Sequence, residues 1–244
     1  MFVTLANLKP MSKIYDIKIK LLAVEVLKLL KENYSYKVLE EMLNLPAPVL
    51  SRYINGKVLP SLKRANEIIN IFKNDILQDI VRRKIEFRNG IINITALVSD
   101  INLLKMIARI AVHEFRFMKI SKILTKETDG IPLATIIGYE VNSNIVVAKN
   151  EKELGVDDFI EVKQVYVTGT YSHIYVPREL IKRGDNVLIV DDIIRSGSTV
   201  RALISVCEKA KAMPIGVFVI IGKKRSLDEL RKEYTMPVKA LLTI

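Results

Sequence analysis

Residues 187–199 read VLIVDDIIRSGST, and this stretch carries the strongest prediction of the fold. Its first four residues are apolar, which is typical of a central parallel strand covered on both faces. In open α/β sheets, ligands bind beyond the carboxyl ends of the strands. Asp191, Asp192 and a small polar turn follow the apolar run, so we expect them at such a site.

The polar turn is suited to holding an anion. It consists of Arg195, Ser196, Gly197, Ser198 and Thr199. Its backbone N–H groups, with those of the helix predicted to begin near Thr199, form an anion site to which the hydroxyls add donors. Two neighbouring carboxylates accept hydrogen bonds from vicinal hydroxyls. The segment therefore predicts a sugar-phosphate pocket, with the acids on the ribose and the turn on the phosphate.

This segment resembles the motif by which type I phosphoribosyltransferases bind phosphoribosyl pyrophosphate (PRPP). The family pattern is four apolar residues, two acids, two apolar residues and a short Thr/Ser/Gly loop. The resemblance implies that Asp191 and Asp192 bind the ribose hydroxyls and that residues 195–199 bind the 5′-phosphate. Two alternatives are a strand ending in solvated acids and a Walker-B-like strand. The second requires a G-x-x-x-x-G-K-[ST] partner, which the sequence does not supply.

The resemblance extends over roughly residues 86–225, most closely to the adenine and xanthine branches of the family. Apolar periodicity predicts a helix from Ile101 to Phe115. A polar helix is expected near Leu227 to Tyr234. Strands are predicted at residues 120–124, 145–148, 187–190, 214–221 and 238–244. This order predicts an α/β fold. The resemblance implies a type I phosphoribosyltransferase-like parallel sheet flanked by helices.

Residues 126–134 are similar to the family's pyrophosphate loop and the helix that follows it. The resemblance implies that Lys126 binds PRPP. Asp129 departs from the adenine-type pattern, which often has arginine before the glycine of this loop. Its negative charge repels pyrophosphate unless a metal or a basic residue neutralises it.

Lys149 and Lys152 resemble the basic residues that open the family's mobile catalytic loop, and the resemblance implies that they bind PRPP. The loop is expected from Asn150 to His173, partly hairpin-like, with short strands at residues 165–167 and 174–176. A loop of this length is more often functional than idle. The alternative is a solvated β-ribbon whose lysines aid solubility.

The chain before residue 86 predicts helices of a different kind. Ser35 is a suitable N-cap for a helix over residues 36–44. A tight turn and a second short helix follow over residues 45–56, since proline is tolerated at a helix start and glycine at its end. Apolar residues at 39, 43, 45, 50 and 54 are predicted to close the two helices on each other.

This helix pair resembles the helix-turn-helix of Cro/C1-type repressors, with helices expected on either side at residues 14–31 and 62–72. Gly56 to Ser61 is similar to that family's G-x-x-x-P-S tail. The resemblance places a DNA-binding face on Ala47, Pro48, Ser51, Arg52 and Lys57. A small helical bundle used only for dimerisation is the alternative.

Charge favours DNA as a partner of the amino-terminal region. The chain carries a net charge of +11. Residues 1–84 hold 15 Lys or Arg against 8 Asp or Glu, which gives +7 of that total. A basic module beside a more balanced one is typical of nucleic-acid binding.

Length and composition predict two domains: a helix-turn-helix domain at residues 1–85 and a ligand-binding domain at residues 86–244. No apolar run reaches transmembrane length and no signal pattern opens the chain, so we expect a cytoplasmic protein without a membrane partner. Cys207 is the only cysteine and the only histidines are His113 and His173, which argues against a structural zinc site.

Two functions fit these features. The first is a transcriptional regulator that binds promoter DNA as a homodimer and senses PRPP or a related nucleotide. The second is an active purine or pyrimidine phosphoribosyltransferase with an appended DNA-binding module. We favour the first, because Asp129 weakens the pyrophosphate site and because a linker is expected where adenine-type enzymes carry a hood segment. The resemblance implies Mg²⁺ bound through PRPP rather than in an all-protein cage. Catalytic residues remain unassigned.

Overall fold

The computed structural model describes residues 13–88 and 91–244. These residues form two compact units that divide between Ile80 and Val81, five residues before the boundary predicted from the sequence. Each unit is described separately below.

The first unit is all-helical. Its helices are α1 (Lys13–Asn33), α2 (Tyr36–Leu43), α3 (Ala47–Ile54), α4 (Leu62–Ile71), a π-helical turn (Phe72–Ile76) and α5 (Leu77–Arg83), which continues past the division. The core is formed by buried apolar side chains of all these helices. Leu39, Leu43, Leu45 and Leu50 close α2 and α3 on each other, as their spacing predicts.

Side chains mark where the short helices begin. The Ser35 hydroxyl accepts from the Val38 N–H at the start of α2, and α2 ends at Asn44 in the left-handed region. Pro46 precedes α3 and offers no capping side chain. Instead, the Glu40 carboxylate of α2 accepts from the Ala47 N–H at 2.5 Å. A carboxylate at a helix N-terminus satisfies a free N–H and complements the helix dipole, so Glu40 joins the two helices.

The second unit is an α/β sandwich. Its elements are β1 (Glu86–Arg88), β2 (Ile91–Asn93), α6 (Thr95–Val98), α7 (Ile101–Glu114), β3 (Lys122–Lys126), α8 (Ile131–Val141), β4 (Asn144–Ala148), β5 (Phe159–Val165), β6 (Tyr171–Pro177), β7 (Asn186–Ile194), α9 (Ser198–Ala210), β8 (Met213–Gly222), α10 (Lys224–Glu233) and β9 (Val238–Thr243). Five strands form a parallel sheet in the order β4-β3-β7-β8-β9. The predicted parallel sheet flanked by helices is therefore confirmed.

Strand β7 differs from its prediction. The sequence predicts that it ends at Val190, with the two acids beyond it. The structure continues β7 to Ile194, and its neighbour β8 pairs with it as far as Gly222. Asp191 and Asp192 therefore lie within the carboxyl-terminal half of the strand. The prediction was wrong because the apolar stretch of β8 is long enough to pair with the acidic residues as well.

The segment predicted as a mobile loop is largely an ordered hairpin. β5 and β6 pair antiparallel from Phe159 with Pro177 to Val165 with Tyr171. The predicted strand at residues 165–167 was wrong, because Tyr166 and Val167 lie in the turn. Inward side chains of both strands join the core shared with β7 and α9, and this burial explains the order.

The segment expected to be a linker also has structure. β1 and β2 pair antiparallel, with Phe87 opposite Ile92, and both belong to the second unit.

In the described part of the chain, none of the helices combines the length and apolarity needed to cross a bilayer.

Candidate functional site

A cavity of about 360 Å³ opens at the carboxyl end of β7. Three parts of the second unit line it: residues 126–129 after β3, residues 191–200 from β7 into α9, and Gln164 and Tyr166 of the hairpin. Because β3 and β7 are parallel neighbours, their following loops meet at one edge of the sheet. The acids and the polar turn predicted from the sequence thus line one cavity with Lys126.

The two acids are held in poorly solvated positions. Asp191 is only 7% exposed, and its Oδ1 accepts from the Asp192 N–H at 3.0 Å. Burial raises the pKa of Asp191 well above its ordinary value, and the charge of Asp192 raises it further, while Lys126 acts in the opposite direction. Burial also raises the pKa of Asp192, to which the charge of Asp129 adds. A ligand that donates hydrogen bonds or brings positive charge to this pair stabilises its ionised form.

The turn between β7 and α9 is braced from outside the cavity. Ser226 Oγ donates to the Arg195 carbonyl at 2.8 Å, and Arg201 Nη1 donates to the Ser196 carbonyl at 3.0 Å. Gly197 takes a φ of +80°, and a Cβ there would lie 2.9 Å from the Arg201 guanidinium. In a trans peptide the N–H points opposite to the C=O, so bracing these carbonyls leaves the N–H groups of residues 196 and 197 for the cavity.

Serine and threonine hydroxyls surround the start of α9. Ser196 Oγ lies 3.2 Å from Ser198 Oγ and also accepts from the Ser198 N–H. Thr199 in the first turn of α9 lines the cavity as well. Free N–H groups at a helix N-terminus with hydroxyls around them bind phosphate well. The arrangement therefore has the chemistry of the predicted phosphate site.

Arg195 does more than line this cavity. Its guanidinium Nη2 donates to the Ile92 carbonyl of β2 at 3.3 Å. It also lines a second cavity of about 470 Å³ with Phe87, Ile92, residues 223–225 and Ile244. The arginine thus joins the polar turn of residues 195–199, which we call the phosphate turn, to the β1–β2 hairpin. The sequence did not indicate this role.

The loop after β3 approaches Asp191 closely. A Cβ on Gly130 would lie 2.5 Å from Thr125 Oγ1 and 2.9 Å from Asp191 Oδ1, so any other residue there would force these side chains to shift. Asp129 lines the cavity immediately before it, at the position where the sequence indicated a weakened pyrophosphate site. Glu127 Oε1 accepts from the Asn150 N–H and side-chain amide at 2.6 and 2.7 Å, which connects this loop to the segment after β4.

Lys149 and Lys152 are not among the cavity's lining residues. Lys149 Nζ pairs with Glu153 at 2.8 Å. Lys152 Nζ lies 3.7 Å from Glu161 and 5.3 Å from the centre of the Tyr175 ring. Lys149 thus lies beside an acid and Lys152 beside an acid and an aromatic ring, and their binding to PRPP stays a prediction.

Gln164 is a lining residue that was not predicted from the sequence. It is 2% exposed, and its Nε2 donates to Ser198 Oγ at 3.3 Å and to Thr199 Oγ1 at 3.1 Å. A signal was present, because Ile160, Val162 and Gln164 occupy alternate positions on the inward face of β5. A polar residue in an apolar alternation marks a position with a specific partner.

No cluster of three or more metal-ligating side chains occurs among the residues that the structure describes. The carboxylates of Asp129, Asp191 and Asp192 are nevertheless oxygen ligands of the kind that Mg²⁺ accepts directly or through water. They fit a Mg²⁺ ion that arrives with phosphate oxygens of a ligand better than an ion held by protein alone.

The five residues predicted to face DNA lie in and after α3. Pro48, Arg52 and Lys57 are exposed, whereas Ala47 and Ser51 are half-buried. The Ser51 hydroxyl accepts from the Asn55 side-chain amide at 3.2 Å. Pro48 and Arg52 are one helical turn apart and thus share a face of α3.

Comparison with known families identifies the second unit. The sequence profile of the phosphoribosyl transferase domain matches residues 93–240, which is more than half of the chain. The chain belongs to this family. The match includes both acids, the phosphate turn and the hairpin.

Relatives of two kinds share this domain. Over 126 residues the chain is 32% identical to the xanthine phosphoribosyltransferase of Oceanobacillus iheyensis, a match that spans 51% of this chain and 65% of that enzyme. It is 23% identical over 224 residues to the purine biosynthesis transcriptional repressor PurR of Bacillus subtilis, spanning 90% of this chain and 75% of that protein.

A solved structure supports the fold. Adenine phosphoribosyltransferase from Rhodothermus marinus superposes with a TM-score of 0.63 at 21% identity, covering 70% of this chain and all of that enzyme. At this identity the likeness shows the type I phosphoribosyltransferase fold alone.

Proposed function

We propose that this protein is a DNA-binding transcriptional regulator that senses PRPP or a related nucleotide through its phosphoribosyltransferase domain. The length of the match to PurR carries the proposal. That match spans 90% of the chain, whereas the match to the Oceanobacillus enzyme spans 51%. The chain thus resembles a repressor beyond the domain that it shares with enzymes.

The cavity supports a ribose-phosphate ligand for this domain. Asp191 and Asp192 accept hydrogen bonds from the ribose hydroxyls, and Arg195 to Thr199 hold the 5′-phosphate through backbone and hydroxyl donors. Lys126, which also lines the cavity, adds positive charge. Mg²⁺ bound to the ligand's phosphates offsets the negative charge of the two carboxylates, whose pKa values are raised mainly by burial.

The first unit supplies the DNA-binding part of the proposal. Helices α2 and α3 are joined by a three-residue turn, and Glu40 fixes their junction. We propose that they form the predicted helix-turn-helix, with α3 entering the major groove. Exposed Arg52 is then placed to read a base edge and exposed Lys57 to contact a phosphate. Pro48 lies on the same face as Arg52, with Ala47 and Ser51 at its margin.

A homodimer completes the proposal. Two copies present two α3 helices to one face of DNA, so the operator is expected to contain inverted half-sites about 34 Å apart or a multiple of that spacing. The test is a footprint on promoter fragments with and without PRPP and Mg²⁺, combined with sedimentation of the free protein. A monomer, or footprints that PRPP does not change, would contradict a PRPP-sensing regulator.

An active phosphoribosyltransferase is the second candidate, favoured by the 32% identity to a xanthine enzyme and by the β1–β2 hairpin and its adjoining cavity, where a linker was expected. Asp129 opposes it, because the reaction releases pyrophosphate and requires positive potential there. Lys149 and Lys152 are also paired with acids. A radiolabelled-base transfer assay with PRPP and Mg²⁺ distinguishes the two functions, and steady turnover of a purine or pyrimidine base would reverse our preference.

A further inference from the structure

Gln164 is a polar residue in an apolar position. The inward residues that precede it on β5, Ile160 and Val162, are 0% and 4% exposed, and Gln164 is 2% exposed. Burying an amide costs free energy unless hydrogen bonds replace those it makes with water. Its Oε1 is fully buried and has no hydrogen-bond partner among the described residues. Leucine or methionine would pack there without this cost, so packing does not explain the glutamine.

The amide has a defined effect on the phosphate turn. Nε2 donates to both Ser198 Oγ and Thr199 Oγ1. A hydroxyl that accepts a hydrogen bond keeps its own proton free to donate elsewhere, and both residues line the cavity. The opposite amide orientation would use both hydroxyl protons on Oε1 and would leave the cavity two fewer donors. With Nε2 on the two hydroxyls, both hydroxyl protons are left to donate to an anion.

We propose that Gln164 is a positioning residue of the phosphate subsite, which holds the hydroxyls of Ser198 and Thr199 as donors towards a phosphate monoester dianion. The inference rests on the proposed function, since it requires a ribose-phosphate ligand in this cavity. The dianion suits this subsite because its terminal oxygens only accept hydrogen bonds. Gln164 also connects the β5–β6 hairpin to the phosphate turn through these two hydrogen bonds.

Stability and binding should respond in opposite directions to an apolar substitution. Gln164→Leu removes the unpartnered Oε1 from the interior, which leaves thermal stability unchanged or raises it. The same change releases the two hydroxyls to donate to each other and to the turn. We expect affinity for ribose 5-phosphate to fall about 3- to 10-fold, the equivalent of one net hydrogen bond of ordinary strength. If the role of Gln164 were purely structural, its substitution would lower thermal stability and affinity together.

Gln164→Glu gives a second readout with nearly the same shape. An ionised glutamate accepts from both hydroxyls and repels the phosphate, whereas its protonated form donates as the amide does. Relative to wild type at each pH, binding should therefore weaken as pH rises through the pKa of the new carboxyl. Sulfate is the second probe. It keeps both negative charges over the pH range in which a buried glutamate titrates, whereas a phosphate monoester changes its charge near pH ~6.

The experiment is calorimetry of the full chain with ribose 5-phosphate and with sulfate, alongside thermal unfolding. Gln164→Leu, Gln164→Met and Gln164→Glu are compared with wild type and with the control Val165→Leu, whose side chain is 56% exposed and does not line the cavity. The inference is supported if Gln164→Leu and Gln164→Met bind more weakly at unchanged or raised stability. Gln164→Glu should also lose affinity as pH rises, and the control should bind as wild type does.

The failures are distinguishable. If wild type binds ribose 5-phosphate and the three variants bind it equally well, the role of Gln164 is overturned and the proposed function stands. If the variants lose affinity only in proportion to lost stability, the role is structural and the inference is again overturned. If wild type binds neither probe, the inference and the proposed ribose-phosphate site fall together.

Discussion

Replacing Asp191 with asparagine tests the proposed ribose site and measures how much stability the protein loses by burying this carboxyl group. Asp191 is 7% exposed, and its Oδ1 accepts from the Asp192 N–H, a contact that an asparagine oxygen retains. Since burial and the charge of Asp192 raise the pKa of Asp191 above its ordinary value of 3.8, the folded protein holds this proton more tightly than the unfolded chain. Stability is therefore highest below that ordinary value and is lost as pH rises through the raised pKa.

Asp191→Asn should remove this loss. We expect the variant to be more stable than wild type at neutral pH, by about 1.4 kcal/mol for each unit by which the pKa is raised, and the difference should disappear in acid. Affinity for ribose 5-phosphate should fall roughly 10- to 150-fold, because one charge-assisted hydrogen bond of about 1.5 to 3 kcal/mol is weakened or lost.

Urea denaturation at about pH 4, 6 and 8 measures the stability change, and calorimetry measures the affinity. The combination of higher stability with weaker binding is the signature of a residue kept for its ligand. The reasoning would be refuted by a variant that is less stable than wild type at neutral pH, or by one that binds ribose 5-phosphate as wild type does.

Four further substitutions test other parts of the molecule. Arg52→Ala should lose about 1 to 3 kcal/mol of binding free energy at one base pair of the operator. Lys57→Ala should instead weaken binding to every sequence and reduce the slope of the salt dependence by about 1. A salt titration on cognate and scrambled DNA separates the two variants, and identical behaviour would contradict the placement of α3. Gly130→Ala should destabilise the protein by about 1 to 3 kcal/mol through overpacking, with Thr125→Ala recovering part of the loss because Thr125 Oγ1 is the nearest obstacle. Glu40→Ala should destabilise the protein by about 0.5 to 2 kcal/mol, as loss of a helix cap does. The control is Glu41→Ala, which changes an exposed neighbour. Equal effects of the two variants in thermal unfolding would contradict the capping role of Glu40.

Elements with strong local signals were predictable from the sequence. The apolar run of β7, the acids and the small polar turn are contiguous, and the parallel topology alone brings the loop after β3 beside them. Helix α7 was predicted to within one residue because its apolar periodicity is regular and Asp100 supplies the cap, accepting from the Leu103 N–H at 3.0 Å.

Contacts between distant parts of the chain were not predictable. Gln164 reaches hydroxyls 34 and 35 residues away, and Arg195 reaches a carbonyl 103 residues away. Neither partner is visible in a local pattern. The hairpin was predicted only in part: β5 alternates between buried and exposed residues as a half-buried strand does, but its packing against the core shared with β7 and α9 is not visible in a local pattern. Lys149 and Lys152 were assigned through family resemblance, whereas nearby acids determine where they lie.

The physical requirements of sensing and catalysis differ, and this difference supports the proposal that the cavity serves sensing. Sensing requires only that the ligand bind, and the ribose and phosphate subsites supply acceptors, donors and a braced turn for that purpose. Catalysis also requires stabilisation of the charge that develops on departing pyrophosphate. On that side of the cavity Asp129 adds negative charge, which already raises the pKa of Asp192, and the two lysines that could offset it are paired elsewhere. A site that keeps the ribose and phosphate subsites while losing positive potential at the leaving group retains PRPP affinity more readily than turnover.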